Sequence, residues 1–239
     1  IRRAVIVVSY TEFGLTDEEL RAASVKNPNS LNVEELLFTA AKLTTDANEK
    51  ARIYQIAAKN FATDHRTHTN LGATLFELGN TKDAAASFKK ANEIKAIPVT
   101  NNNLAASLIL EGNRQGAKKL LSSAKTSAYN YNQGIIDIME GNYSAAEKNI
   151  NQDSYNKVLA LILSNKLDAA KKASATLTET AELAYLKAII EARMGSNADA
   201  VVAKLKTAIA KNPALKQKAS MDREFIKIMN ETSFIDLVK

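Results

Sequence analysis

The stretch 70–91, NLGATLFELGNTKDAAASFKKA, constrains the fold more than any other part of the chain. Leu71, Leu75 and Leu78 fall at helical spacing in its first half, and Ala84, Phe88 and Ala91 do so in its second. Gly79-Asn80 breaks the pattern between them, as a tight turn requires. The segment reads as two amphipathic helices folded against each other, with Gly72 and Ala84 small enough to let them approach closely. A hairpin of this kind cannot bury its apolar face alone, so further copies are expected.

Copies follow. The turn recurs as Gly112-Asn113, Gly141-Asn142, Ser164-Asn165 and Gly195-Ser196, at steps of roughly 23 to 33 residues. Asn70, Asn103, Asn132 and Asn156 stand at about the same distance ahead of their turns. Small pairs follow the turns as Ala84-Ala85, Ala145-Ala146 and Ala169-Ala170. Markers that stay in register predict a repeat array, with short helices or trimmed loops in its middle units.

The pattern resembles the tetratricopeptide repeat (TPR), a helix–turn–helix unit of about 34 residues. Gly72 stands where the family has its small first-helix residue. Ala84, Phe88 and Ala91 stand where it has its second-helix small and aromatic positions. His68 departs from the family's large residue, and the closing proline comes two places late, at Pro98. Lys211-Asn212-Pro213 resembles the closing motif more nearly. The resemblance implies an all-α fold: a TPR-like right-handed helical solenoid. Its units would cover about 31–64, 65–98, 99–126, 127–151, 152–178 and 181–214, all within a repeat region of 14–214. The remainder, 215–239, has apolar helical patches at 225–229 and 234–238 and is expected to be a C-terminal capping helix or helices, because a solenoid needs its last face covered.

Residues 1–13, IRRAVIVVSYTEF, lie outside the helical pattern. Residues 4–8 are rich in β-branched side chains and predict a short N-terminal β-strand. A lone strand needs a partner sheet, so this one is expected to be the remnant of a preceding domain. Arg2-Arg3-Ala4-Val5-Ile6-Val7-Val8 resembles the closing strand of OmpA-like peptidoglycan-binding domains, departing at Ala4. That resemblance implies an OmpA-family cell-envelope protein in the periplasm or at the outer membrane. It reaches peptidoglycan only through an upstream domain, because that family's ligand-contacting Asp and Arg precede this strand. A cytoplasmic adaptor is the alternative. The chain begins with Ile and shows no signal peptide, as expected of a trimmed or mature fragment.

Composition narrows the function. There is no cysteine, which excludes disulfides, thiol catalysis and cysteine-based zinc sites. No apolar run is long enough to span a bilayer. The net charge is +6, with the basic excess in the C-terminal third, but the lysines are dispersed and lack interleaved aromatics. A solvated surface is expected rather than a nucleic-acid interface, and an RNA-binding helical repeat is the remote alternative. His65 and His68, three apart beside Asp64, have a spacing that could hold a metal, yet no further ligand stands near. No phosphate-binding or nucleophile motif occurs. We expect no enzyme and no cofactor.

In the repeat family the first helices line a groove that holds a partner peptide, so a protein or peptide partner of unknown identity is implied. Asn70, Asn103, Asn132 and Asn156 match a family position that contacts bound backbone. A carboxamide both donates and accepts, so a ladder of them suits that task; bracing of the scaffold is the competing reading. Tyr131, Tyr155 and Tyr185, near the starts of first helices, offer contact area at low entropic cost, or else pack between helices. The cationic clamp used by chaperone-type relatives is not reproduced, since only Arg66 lies near a suitable position.

Overall fold

A computed structural model describes residues 14–122 and 127–239. The expected strand, within 1–13, lies outside the described residues. Contacts divide the chain into two compact units, Ile1–Ala124 and Lys125–Lys239.

The N-terminal unit opens with α1 (Asp17–Lys26). Thr16 caps it reciprocally: its hydroxyl accepts from the Glu19 amide, and the Glu19 carboxylate accepts from the Thr16 amide at 2.8 Å. Asn32 and Glu35 repeat the device at α2 (Val33–Phe38). That helix runs on into a π-helical turn, Thr39–Leu43, where the Thr39 hydroxyl donates to the Glu35 carbonyl at 2.7 Å. Then come α3 (Ala47–Asn60), α4 (His65–Glu77), α5 (Thr81–Ile94), α6 (Pro98–Leu110) and α7 (Arg114–Leu121). The C-terminal unit holds α8 (Ser127–Met139), α9 (Tyr143–Asn149), α10 (Tyr155–Leu163), α11 (Leu167–Ala175), α12 (Ala181–Met194) and α13 (Ala198–Lys211), then α14 (Leu215–Met221), a 3₁₀ turn at Arg223–Phe225 and α15 (Thr232–Val238). Within each unit the helices pair as antiparallel hairpins: α2 with α3, α4 with α5, α6 with α7, then α8 with α9, α10 with α11, α12 with α13.

The turns work as the sequence predicts, with one correction. Gly79, Gly112, Gly141 and Gly195 all have φ of 78° or 79°, the left-handed region that ends a helix. The amide one residue past the left-handed glycine then reaches back over five residues, as in Asn80 N–H to Leu75 C=O at 2.9 Å. In the fourth turn it is Asn165 (φ 57°), not Ser164, that takes this conformation, and Lys166 bonds back to Leu161. Asparagine tolerates the left-handed region because its short polar side chain bonds locally. The fourth turn is therefore displaced by one residue from the sequence reading.

Packing explains the small residues. A Cβ built on Gly72 would lie 2.6 Å from the Phe88 ring of α5, and one on Gly134 would lie 2.5 Å from Ile150. Each glycine thus makes room for a large side chain on the second helix (Phe88) or at its C-terminal end (Ile150). Ala84, Ala117, Ala146 and Ala170, each five residues past a left-handed residue, are fully buried. Two cores close the ends. Leu20, Leu31, Leu36, Ile53 and Ala57 form one in the N-terminal unit. In the C-terminal unit Phe225, Ile228 and Phe234 cover Tyr185, Val202 and Leu205. The segment 215–239 therefore lies over the last hairpin as three short pieces rather than one helix.

Candidate functional site

Pairing the helices sorts the surface into two kinds. The second helices (α3, α5, α7, α9, α11, α13) carry 15 Lys and Arg against six Asp and Glu. The first helices, α2 with its π turn included, carry five against six, and α6 has no charged residue. Exposed large apolar side chains divide the other way. Phe38, Phe76, Leu78, Val99, Leu110, Met139, Tyr155 and Met194 are exposed on or at the ends of first helices. Among the described residues no second helix exposes one. Most of this second-helix excess lies on α3, α5 and α7 of the N-terminal unit, nine against three, which the overall bias toward the C-terminal third hides; the first helices are nearly neutral and carry the exposed apolar side chains.

The four asparagines occupy one register. Each stands nine residues before the left-handed residue of its hairpin, once the fourth turn is placed at Asn165. Their surroundings differ. Among the described residues, the half-buried carboxamides of Asn70 and Asn103 make no hydrogen bond within the chain. Asn132 is 8% exposed and has a partner. Asn156 donates from Nδ2 to the Tyr131 hydroxyl at 2.9 Å, joining α10 to α8.

The tyrosines stand one residue before that register and point at the element that follows. Tyr155 is 40% exposed; partial burial raises its hydroxyl pKa, and Glu182 of α12 raises it further. Tyr185 is only 3% exposed. Its hydroxyl donates to Asp222 at 2.8 Å, its ring meets Phe225 edge-on at 5.6 Å, and Lys218 sits 4.7 Å over its face. Burial and the Asp222 carboxylate hold that phenol well above its ordinary range. Beside it, Arg193 reaches Glu224 through Nε (2.7 Å) and donates to the Ile162 carbonyl at 2.9 Å. Packing, the alternative reading for the tyrosines, describes Tyr185 and Tyr131 better than an open contact surface does.

In the N-terminal unit the first helices frame a recess of about 260 Å³. Its walls are Leu37 from α2, His65, Arg66, Thr69 and Asn70 from α4, and Ile97 and Val99 at the start of α6. The Arg66 guanidinium is engaged at the rim by Asp64 (2.6 Å) and by Glu34 of α2 (2.7 Å). That pairing keeps the Asp64 carboxyl below its usual range. His65 Nδ1 is buried without a partner among the described residues, whereas His68 Nε2 lies 3.1 Å from the Ala62 carbonyl. Among the described residues no group of three His, Asp or Glu side chains is placed to hold a metal, and no described helix is long and apolar enough to cross a membrane. Sequence reasoning found Asn70 and Arg66 here but missed Leu37, Thr69, Ile97 and Val99. The available signal was the flanking of the helix-starting Pro98 by two β-branched residues on a helix without charge.

No protein-family model and no curated protein matches the sequence. Solved structures do match. One, a tetratricopeptide repeat protein from Parabacteroides merdae, aligns with a TM-score of 0.63 over 93% of this chain and 90% of its own, at 18% identity. At that identity the likeness speaks to architecture: the chain has an all-helical fold resembling that of a tetratricopeptide repeat protein.

Proposed function

We propose that this chain is a protein-interaction scaffold whose N-terminal unit takes a partner segment on its first helices. The supporting observation is the state of Asn70 and Asn103: two carboxamides at equivalent places on consecutive first helices, with no hydrogen bond among the described residues. Each offers donors and an acceptor to an incoming backbone. In the C-terminal unit the same register is used internally, by Asn132 and by the Asn156–Tyr131 bond. Partner binding therefore concentrates on the N-terminal unit, and the rest of the ladder serves as brace.

The test is a pull-down followed by titration of the recovered partner against Asn70→Ala/Asn103→Ala. Each lost backbone bond is worth roughly 0.5–1.5 kcal/mol, so the double variant should bind about five- to a hundredfold more weakly and melt as the parent does. Unchanged affinity would overturn the assignment.

A finer version places this scaffold in a bacterial envelope, behind an OmpA-like domain. It is supported by the resemblance of Arg2 to Val8, which lies outside the described residues. Fractionation of the source cell tests it: recovery in the periplasmic or outer-membrane fraction supports it, and recovery in the cytosol favours the cytoplasmic adaptor.

A further inference from the structure

We infer that the recess between Leu37, Ile97 and Val99 receives one aliphatic side chain of an extended partner segment, with the adjoining peptide group held by Asn70. The inference rests on the scaffold reading and names the chemistry it selects. Size sets the first limit. Apolar cavities of about 150 Å³ already admit a benzene-sized group, so about 260 Å³ holds a branched aliphatic side chain and part of the backbone that carries it.

Charge decides what kind of side chain enters. Arg66, the one Lys or Arg on the wall among the described residues, is paired with both Asp64 and Glu34. Nothing on α6 adds charge. An acidic side chain entering would lose hydration and gain no free cation, and a basic one would meet no carboxylate among the lining residues, because Asp64 and Glu34 lie outside the lining and are held by Arg66; either is costly. An aliphatic one would remove Val99, which is 54% exposed, from water together with itself.

Asn70 supplies the second half of the specificity. Its carboxamide lines the same recess and makes no bond within the chain among the described residues. A purely apolar ligand would bury that carboxamide unpaired, at a cost in affinity. A peptide brings a C=O and an N–H within one residue of its side chain and satisfies it. The ligand class is therefore polypeptide with an aliphatic residue, rather than a free hydrocarbon or a charged peptide.

The test uses the whole chain and three small probes: N-acetyl-leucine N′-methylamide and its glycine and lysine counterparts. Methyl resonances of Leu37, Ile97 and Val99 are followed as each is added. The leucine probe should shift them in a saturable manner and the other two should not. Val99→Lys, at a side chain more than half exposed, should weaken the leucine probe about fivefold or more, and Asn70→Ala should weaken it by a smaller factor. Equal shifts from the glycine or lysine probe, or shifts confined to methyls elsewhere, would overturn the inference. If the leucine probe fails while Asn70→Ala/Asn103→Ala still releases a protein partner, the recess assignment falls and the scaffold reading stands. If the probe binds but the double variant keeps its protein partner, the recess stands and the scaffold assignment to this face falls.

Discussion

Asn156 and Tyr131 lie 25 residues apart in sequence and 2.9 Å apart in space, a carboxamide donating to a phenol oxygen between two neighbouring first helices. The bond shows how one register position can serve two purposes. Where the preceding first helix supplies a tyrosine, the asparagine is drawn into the scaffold. Where it supplies Thr69 at the tyrosine's place, as for Asn103, the asparagine makes no such bond among the described residues.

Removing that brace should be visible in stability. Tyr131→Phe deletes the acceptor and keeps the ring, so it should cost roughly 0.5–1.5 kcal/mol. Asn103→Ala, which breaks no side-chain hydrogen bond among the described residues, should stay within about 0.5 kcal/mol. Urea denaturation of both variants checks this, and an equal loss at the two positions would show that the ladder is structural throughout.

The glycines separate two physical effects. Gly72→Leu must displace the Phe88 ring and should cost on the order of 1–3 kcal/mol through overpacking. Gly79→Ala meets nothing within 4 Å, yet φ is +78°, so its cost is backbone strain of about 1–2 kcal/mol. Lys82→Leu, on the exposed side of α5, should cost almost nothing. Thermal melts rank the three, and a crystal structure of Gly72→Leu should show Phe88 rotated out of its place.

The C-terminal pieces should be indispensable to their unit. Phe225 is 1% exposed between Tyr185 and Phe234, and Phe225→Ala should cost about 3–5 kcal/mol. Deleting 215–239 would bare Tyr185, Val202 and Leu205 and should cause self-association, read by light scattering. A truncated chain that remains monomeric with an unchanged melting temperature would refute the capping role.

Tyr185 also predicts an alkaline limit. Its phenol is raised above the ordinary value near 10 by burial and by Asp222. The unfolded chain therefore loses the proton first as pH rises. The stabilisation is complete below about pH 10 and is lost progressively above it. Unfolding free energy measured from pH 8 to 11 should decline at the upper end, and Tyr185→Phe should make that decline shallower. An identical profile in the variant would assign the alkaline loss to other groups.

Much of the fold was legible because it depends on residues with few substitutes. Gly79, Gly112, Gly141 and Gly195 announce their turns, since little else takes positive φ cheaply. Gly72 announces a close contact for the same steric reason. The fourth turn was misplaced by one residue because serine and asparagine are both turn formers, and only the backbone angle tells which of them is left-handed. The candidate site was less legible. Asn70 and Asn156 are identical in register, and the difference between them lies in a tyrosine one hairpin away. Tyr185 reads as an exposed contact until the segment that buries it, 222–234, is seen folded over it. The recess escaped notice because Leu37, Asn70 and Val99 come from three hairpins and converge only in three dimensions.

The sorting of lysines to second helices and apolar side chains to first helices bears on how the chain behaves in a crowded solution. Copies that meet through the lysine-rich second helices of either unit repel over a distance of about 10 Å at moderate ionic strength. Such repulsion gives colloidal stability that the nearly neutral first helices lack. Concentrated salt would shorten that reach to about 3 Å and leave Val99, Leu110 and Met139 to find each other. The molecule is thus buffered against clustering by its second helices, and its solubility should fall with added salt even where its fold does not change.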